Sequence, residues 1–388
     1  MKILQVIPSL NPVYGGTVES LKQLTAALEK IGHRVEVVTC DDRKSLWLKN
    51  LSFLVYPLGK GYTKYRYSFK LISWLKNNSF KYDLVIVNGI WQYSSLAVYL
   101  ALKHKAVPYF VRPAGMLDVW FKIRYPLKHL KKMIYWFLAE SWVLKAAGAV
   151  LFTNQEEKQR ALACFKLSGV KIEIVNSNGT TVVSDKNKAE YRDLFFQRFP
   201  SLKGRRLILF LGRITPKKNC LSLIKAFKRC FFRDKRLLLL MVGPIDRSYK
   251  KKIAKEIKNS EIDKNMFWID FLSEKERSGA YLASEVFILP SHQENFGMSV
   301  VEALAHSCPV LISDKVGIHQ TVSFSKSGYV EPDTLKGCEK LLERWLSLAY
   351  NERCNMRIAA EKCFLDYFEI NTVAEMFALR MAKFVEKE

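Results

Sequence analysis

No pair of the eight cysteines (Cys40, Cys164, Cys220, Cys230, Cys308, Cys338, Cys354 and Cys363) stands at C-x-x-C spacing. That removes the usual zinc and dithiol redox frameworks, and thiols scattered this way read as reduced and mostly buried. No apolar run approaches the roughly eighteen residues of a membrane-spanning helix. Met1-Lys2 leads into only a short strand-like run before Pro8, too short for the apolar segment of a secretory leader. The expectation is a cytoplasmic protein, free or peripheral on the inner face of a membrane. Repeats and low-complexity tracts are missing too, which sets aside solenoids and disordered tails. Acid is scarce: 37 Asp and Glu face 62 Lys and Arg, a net charge of +25. The imbalance is sharper in the first 200 residues, with about 30 basic against about 14 acidic side chains. Such an excess suits nucleic acid, an anionic membrane face or an anionic substrate.

What is present points to two domains. The chain has 388 residues, 49% of them hydrophobic, which is long for one domain and enough to bury two cores. Short apolar runs alternate with helical patterns throughout, the mark of parallel α/β sheets. The stretch Val286–Gly317, VFILPSHQENFGMSVVEALAHSCPVLISDKVG, shows the unit most clearly. Val286–Leu289 is too short for a helix and is closed by Pro290, as in a buried strand. A polar loop, Ser291–Gly297, leads to a helix over Met298–His306 carrying Val300, Val301 and Leu304, and a second strand begins at Val310. In such sheets ligands bind outside the carboxyl ends of the strands. The loop offers one carboxylate, Glu294, and the helix another, Glu302. The N–H groups that open the helix from Gly297 favour an anion. An anion cradle flanked by carboxylates suits a sugar phosphate. A plainer reading stands beside this one: Ser299 and Glu302 have the spacing of a capping box, and Glu294 can be a solvated loop residue.

The pattern P-S-x-x-E-x-F-G-x-x-x-x-E-A followed by P-V, here Pro290, Ser291, Glu294, Phe296, Gly297, Glu302, Ala303, Pro309 and Val310, resembles the signature of the retaining glycosyltransferases of family 4. The resemblance implies a GT-B fold, two Rossmann-like doubly wound domains facing each other across a cleft. It implies that Glu294 lies beside the transferred sugar and that Glu302 binds the nucleotide ribose, with Asn295, Phe296, Gly297 and Met298 close to the donor.

Other segments fit the same resemblance. Lys2–Ile7 reads as a strand, and Gly15-Gly16 precedes a helix from Val18 to about Ile31. By itself the glycine pair is as readily a tight turn as a phosphate approach. GG-T-x-E-S followed by L-x-x-x-G-H-x-V, from Gly15 to Val35, is similar to the family's first βαβ unit, where the glycines face the donor diphosphate and the acceptor. Strand Arg206–Leu211 runs into Gly212-Arg213-Ile214-Thr215-Pro216-Lys217-Lys218. Arg213 with Lys218 resembles the family's diphosphate clamp, a forked guanidinium beside a point charge, and Lys217 can stand in for Lys218. Taken alone the segment is an ordinary basic loop. Leu272 falls where relatives contact the base.

On the acceptor side, Asn88 and Trp91 end a strand over Asp83–Val87, and Arg112-Pro113-Ala114-Gly115-Met116-Leu117-Asp118 ends another. Many relatives place a His before this glycine; here Ala114 stands there, as in a subgroup with R-P-x-G-x-L-D-x-W. Arg112 and Asp118 are therefore candidate contacts, with structural salt bridges as the alternative. Residues Trp120–Lys145 interleave Lys122, Arg124, Lys128, Lys131 and Lys132 with Phe121, Tyr125, Tyr135, Trp136 and Phe137. They read either as a surface for an anionic leaflet or as a solvated helix with core aromatics.

The expected boundaries are an acceptor domain over 1–176, a linker over 177–204, a donor domain over 205–357, and a C-terminal helix over 358–388 returning to the first domain. The implied activity is transfer of a sugar from a nucleotide-diphosphate donor, UDP- or GDP-linked, to a glycan or lipid-linked acceptor of lipopolysaccharide or polysaccharide synthesis. No D-x-D occurs, and the cations fill the metal's role, so no cofactor and no metal are expected. A catalytically silent nucleotide-sugar-binding scaffold and a nucleic-acid-binding protein are the other classes. The second rests on charge alone, no nucleic-acid module being present.

Overall fold

Seven short strands, each rich in β-branched and aliphatic residues, form the first sheet: β1 Lys2–Ile7, β2 Arg34–Thr39, β3 Leu54–Pro57, β4 Leu84–Asn88, β5 Tyr109–Arg112, β6 Ala149–Phe152 and β7 Ile172–Ile174. They pair in parallel in the order β3-β2-β1-β4-β5-β6-β7. Such a sheet must be covered on both faces. On one face Ile3, Leu84, Ile86 and Phe110 pack against Leu24 and Leu28 of helix Gly16–Lys30 and Phe377 and Met381 of helix Ile370–Val385. On the other, Leu4, Val85, Val87 and Val111 meet Leu71, Val98 and Val143. The structure, a computed structural model, describes residues 1–49, 51–119, 122, 126–176, 178–257 and 261–385. Trp120, Phe121, Arg124 and Tyr125 of the basic aromatic segment lie outside the described residues.

The second sheet holds β8 Arg206–Leu211, β9 Leu237–Val242, β10 Met266–Ile269, β11 Val286–Leu289, β12 Val310–Ser313 and β13 Gly328–Glu331. It is again parallel, ordered β10-β9-β8-β11-β12-β13. Both sheets are Rossmann-like, with winding that reverses beside the first strand. All eight cysteines are free thiols. Among the described residues no helix is long and apolar enough to cross a membrane.

The chain divides into one unit of Met1–Gly179 with Ile370–Glu388 and another of Thr180–Glu369. Two expected boundaries differ from this. The segment read as a linker, 177–204, contains helix Asp185–Arg198, and this helix belongs to the second unit. Its Phe195 is fully buried, and it crosses helix Glu274–Ala283 so closely that a Cβ at Gly279 would overlap the Tyr191 carbonyl. Arg198 grips Glu276 through two bonds of 2.6 Å. The C-terminal helix read over 358–388 is two helices, Tyr350–Tyr367 in the second unit and Ile370–Val385 in the first. The break has no Gly or Pro to announce it. The Phe368 carbonyl accepts from the Thr180 N–H at 3.1 Å, a tertiary bond that replaces a helical one.

In the first unit the helix at Pro126–Tyr135 passes through a π-helical turn, Trp136–Glu140, into a further helix, Ser141–Ala146. Glu140 is fully buried and accepts from the Trp91 N–H and the Ser95 hydroxyl, both at 3.3 Å. Burial pushes its carboxyl up to about 7, the two hydrogen bonds opposing. A folded-state pKa above the unfolded one gives stability that is complete below the unfolded value, near 4.5, and lost as pH rises through 7. Glu140→Gln keeps the acceptor without the charge. Chemical denaturation at pH 5 and pH 8 is expected to show the parent losing about 2–3 kcal/mol relative to the variant across that window; parallel profiles would contradict it.

Candidate functional site

The winding of the second sheet reverses between β8 and β11, so the loops leaving these strands depart to opposite sides and leave a crevice at their carboxyl ends. The loop after β8 is Gly212–Asn219 and the loop after β11 is Ser291–Gly297. Arg213, Lys218 and Glu294, picked out from the sequence, are thereby brought to one place.

The first loop is held by backbone. The Gly212 N–H bonds the Val242 carbonyl at 2.9 Å and the Ile214 N–H bonds the Pro244 carbonyl at 2.9 Å. Gly243 sits at φ 132°, and a Cβ there would overlap the Gly212 carbonyl. A short 3-10 turn, Pro216–Lys218, then presents two lysines, and Asn219 closes it in the left-handed region with its amide on the Asp333 carbonyl at 2.9 Å. Arg213 is exposed at the start of this loop.

The second loop is tied down from the other side. The Glu294 N–H bonds the Lys315 carbonyl at 3.1 Å, and the Gly317 N–H returns to the Glu294 carbonyl at 3.0 Å. The Glu294 carboxylate forms an ion pair with Lys218, whose side chain is largely buried. Burial pushes the Glu294 carboxyl up, but Lys218, Lys217 and Arg213 outweigh it and hold the carboxyl below its ordinary range. It is therefore ionised near neutral pH. Gly297 takes a left-handed conformation, φ 96°, and starts helix Met298–Ala305. Phe296 is buried against Phe368, while Asn295 and Met298 are partly exposed beside it.

The capping-box alternative for Glu302 does not hold. Gly297 is the N-cap and Ser299 is already inside the helix. Glu302 instead lies 3.1 Å from the hydroxyl of Tyr281, a buried side chain, and 3.7 Å from Arg277. Burial and the neighbouring Glu302 push the Tyr281 hydroxyl well above its usual range, so it remains a donor. His306 stacks on the Tyr281 ring at 5.1 Å, and its Nδ1 donates to the Glu302 carbonyl at 2.6 Å. Burial pulls His306 down to about 4, the carbonyl bond opposing, so the ring is neutral. Sequence reading missed Arg277, Tyr281 and His306. The only signal was that Arg277 and Tyr281 stand four apart on one helix, hence on one face. Leu272 is buried in the same unit, just before that helix.

The remaining predicted residues belong to the first unit. Gly15, at φ 68°, caps helix Gly16–Lys30 after β1, and Asn88 ends β4 with Trp91 in the loop beyond, so they border that sheet's own switch point. A cavity of about 70 Å³ opens there, lined by Ser9, Tyr14, Thr17, Asn88 and Gln92 among others. Arg112 is buried within a polar cluster. It donates to Asn88 Oδ1 at 2.9 Å, Ser20 Oγ at 3.2 Å and Asn178 Oδ1 at 3.4 Å, and Asn88 in turn donates to Gln5 at 2.7 Å. Asp118 forms a buried salt bridge with Arg160 at 3.6 Å. Trp91 donates from its indole to the Met116 carbonyl at 3.0 Å. Ala114 lies in the left-handed region, and Glu157 fastens the turn, accepting from the Gly115 N–H at 2.6 Å and the Thr153 N–H at 2.8 Å. Among the described residues no cluster of His, Cys, Asp or Glu is arranged to hold a metal ion.

Residues 15–177 match the family described as Glycosyl transferase 4-like domain, and residues 192–362 match Glycosyl transferases group 1. Together these cover most of the chain. Over 149 residues, 38% of this chain and 18% of the relative, it is 24% identical to the serotype-specific mannosyltransferase WbdA of Escherichia coli. Over 208 residues, 52% of this chain and 54% of the relative, it is 26% identical to the lipopolysaccharide 1,2-N-acetylglucosaminetransferase of Salmonella typhimurium. The chain thus spans about half the length of the latter and less of the former. Among solved structures, Anabaena Alr3699/HepE in complex with UDP and glucose superposes with a TM-score of 0.76 at 16% identity, covering 99% of this chain and 100% of that one. The shared architecture is the GT-B fold.

The Gly212–Gly243 approach fixes the peptide that leads into Arg213. Gly243→Ala must push the Gly212 carbonyl aside while occupying a conformation unfavourable to any side chain. The expected outcome is a loss of at least about 2 kcal/mol of stability in chemical denaturation. An unchanged denaturation midpoint would show the loop to be more yielding than the packing indicates.

Proposed function

We propose that this chain, whose two halves match the Glycosyl transferase 4-like domain and Glycosyl transferases group 1, is a retaining enzyme that moves a hexose from a nucleotide-diphosphate sugar to a hydroxyl of a glycan or lipid-linked acceptor, at the cytoplasmic face of a membrane, in lipopolysaccharide or polysaccharide assembly. The observation that carries the reading is the ion pair of Lys218 with Glu294 at the β8–β11 switch point, with Arg213 beside it and the Met298–Ala305 helix opening behind it. The relatives' names support the sugar-transfer and surface-glycan parts, and UDP in the HepE structure supports the donor class.

In this mechanism Arg213 and Lys218 face the diphosphate. As the bond between the anomeric carbon and the phosphate oxygen breaks, negative charge grows on the departing diphosphate, and fixed cations stabilise it in the transition state more than in the ground state. Glu294, ionised at neutral pH, accepts hydrogen bonds from the sugar hydroxyls, and Lys218 exchanges part of its contact with Glu294 for phosphate. Glu302, oriented by Tyr281 and Arg277, accepts from the ribose hydroxyls. A double displacement needs a carboxylate against the anomeric carbon. Glu302 is held by the Tyr281–Arg277 pair, which favours front-face transfer instead. The acceptor oxygen bonds to the anomeric carbon on the side the diphosphate leaves, and the acceptor proton passes to a phosphate oxygen. The cations do the work a metal does in other sugar-nucleotide sites, so the reaction is proposed to be metal-independent.

Thermal shift against UDP-, GDP-, ADP- and CMP-sugars, with and without EDTA, tests the donor site. One nucleotide is expected to raise Tm, insensitively to EDTA, corresponding to about 2.7 kcal/mol at a hundredfold excess over Kd. Arg213→Ala should abolish the shift, and Lys218→Met should lower kcat by about 10²-fold. No shift with any nucleotide, or turnover unaffected by Glu294→Ala, would move the protein to a catalytically silent scaffold. An inverted anomeric product in NMR would overturn retention.

A further inference from the structure

The helical segment from Pro126 to Ala146 buries one side and leaves the other bare. Leu127, Leu130, Ile134, Phe137, Leu138 and Trp142 recur at helical spacing and are all exposed, Leu127 by 80% and Leu138 by 75%. Monomeric surfaces rarely carry so many large apolar side chains side by side. The other long exposed side chains of this segment are Lys128, Lys131 and Lys145. Lys132 is drawn inward over the Trp91 ring at 5.0 Å. Glu140, the segment's one acid, is buried. The bare face therefore offers apolar surface, ammonium groups and one indole, with the half-exposed His129 and Ser141 at its side and no carboxylate.

We infer that this face, Leu127 to Trp142 with its lysines, seats the protein on an anionic lipid bilayer, the apolar side chains entering the headgroup–acyl boundary and the lysines meeting lipid phosphates. The chemistry discriminates among occupants. A protein interface commonly sets charges of both signs and matched donors and acceptors across its area, and this face brings cations with no carboxylate among them. Lipid phosphates are acceptors alone, and long lysine stems let the charge reach them while their methylenes stay against the apolar layer. A second copy of this chain would bring a further net charge of +25 against the first, which opposes close pairing. The inference deepens the membrane placement proposed above by naming the surface and the lipid chemistry, and it is argued without the donor site, since the face requires neither donor nor acceptor sugar.

Flotation of the full chain with vesicles tests it. Phosphatidylcholine vesicles containing a minority of phosphatidylglycerol are expected to carry the protein up, pure phosphatidylcholine much less, and added salt should weaken the binding. Leu130→Glu with Phe137→Glu should reduce vesicle partitioning by about tenfold or more. Because all these side chains are exposed, the melting temperature should stay near the parent's. Lys128→Glu with Lys131→Glu, which leaves the apolar stripe intact, should remove the preference for anionic vesicles. Arg213→Ala should bind vesicles as the parent does, so failure of the donor site and failure of this surface are separable. Equal flotation with both vesicles, none with either, or unchanged binding by Leu130→Glu/Phe137→Glu would overturn the proposal. So would a concentration-dependent dimer in sedimentation that the same double variant dissolves while the parent ignores vesicles.

Discussion

Parallel strands deliver all their carboxyl ends to one edge, and where the winding reverses the two loops leave in opposite directions. In the second unit this constraint acts between β8 and β11. Two loops separated by some eighty residues of sequence meet because the strands beneath them are neighbours. Arg213 and Lys218 arrive from one, Glu294 from the other. The ion pair between Lys218 and Glu294 spans the reversal point, and everything proposed about leaving-group charge rests on that meeting.

Main-chain hydrogen bonds hold much of both loops, with Asn219 on the Asp333 carbonyl and Ser313 on the Ser291 carbonyl adding side-chain ties. Gly212 and Ile214 bond to the segment after β9, and Glu294 is bracketed by Lys315 and Gly317 after β12. Each contact fixes a neighbouring peptide, so the cations and the carboxylate are positioned before any ligand enters, which is what electrostatic stabilisation of a leaving group requires. The same economy appears around Glu302. A buried tyrosine, kept protonated by its surroundings, and a neutral histidine stacked on it hold the helix that carries the carboxylate. The first unit holds its polar groups more tightly still. Arg112 spends its guanidinium on Asn88, Ser20 and Asn178, and Asp118 is paired with Arg160. Both side chains are therefore engaged within the first unit, beside the loops that follow β4 and β5.

Much of the architecture was legible in the chain because its cause is local. Strands such as Val286–Leu289 are short apolar runs closed by Pro or Gly, and parallel sheets demand that pattern at every strand. The candidate residues were legible through the resemblance of their motif, since Arg213 and Glu294 taken alone read as an ordinary basic loop and a solvated carboxylate; only the glycine has a local physical reason, the left-handed turn at Gly297. What was not legible has a common cause as well. The break at Phe368–Glu369 lies in a run without Gly or Pro, and there the Phe368 carbonyl bonds to Thr180, far away in sequence. The helix over Lys188–Arg198 was expected from the sequence, but only as part of a linker; its packing on Gly279 of another helix makes it part of the second unit.

The sequence by itself therefore determined the two parallel α/β sheets and the loops that carry Arg213, Lys218, Glu294 and Glu302, since these follow from short-range pattern, while the resemblance of the motif singled those residues out. Only the tertiary structure decided that Glu302 serves Tyr281 and Arg277 rather than a capping box, where one unit hands over to the other, and that the apolar stripe from Leu127 to Trp142 faces outward. Those outcomes depend on which surface meets which, and a helical period states that one face is apolar without stating what it will touch.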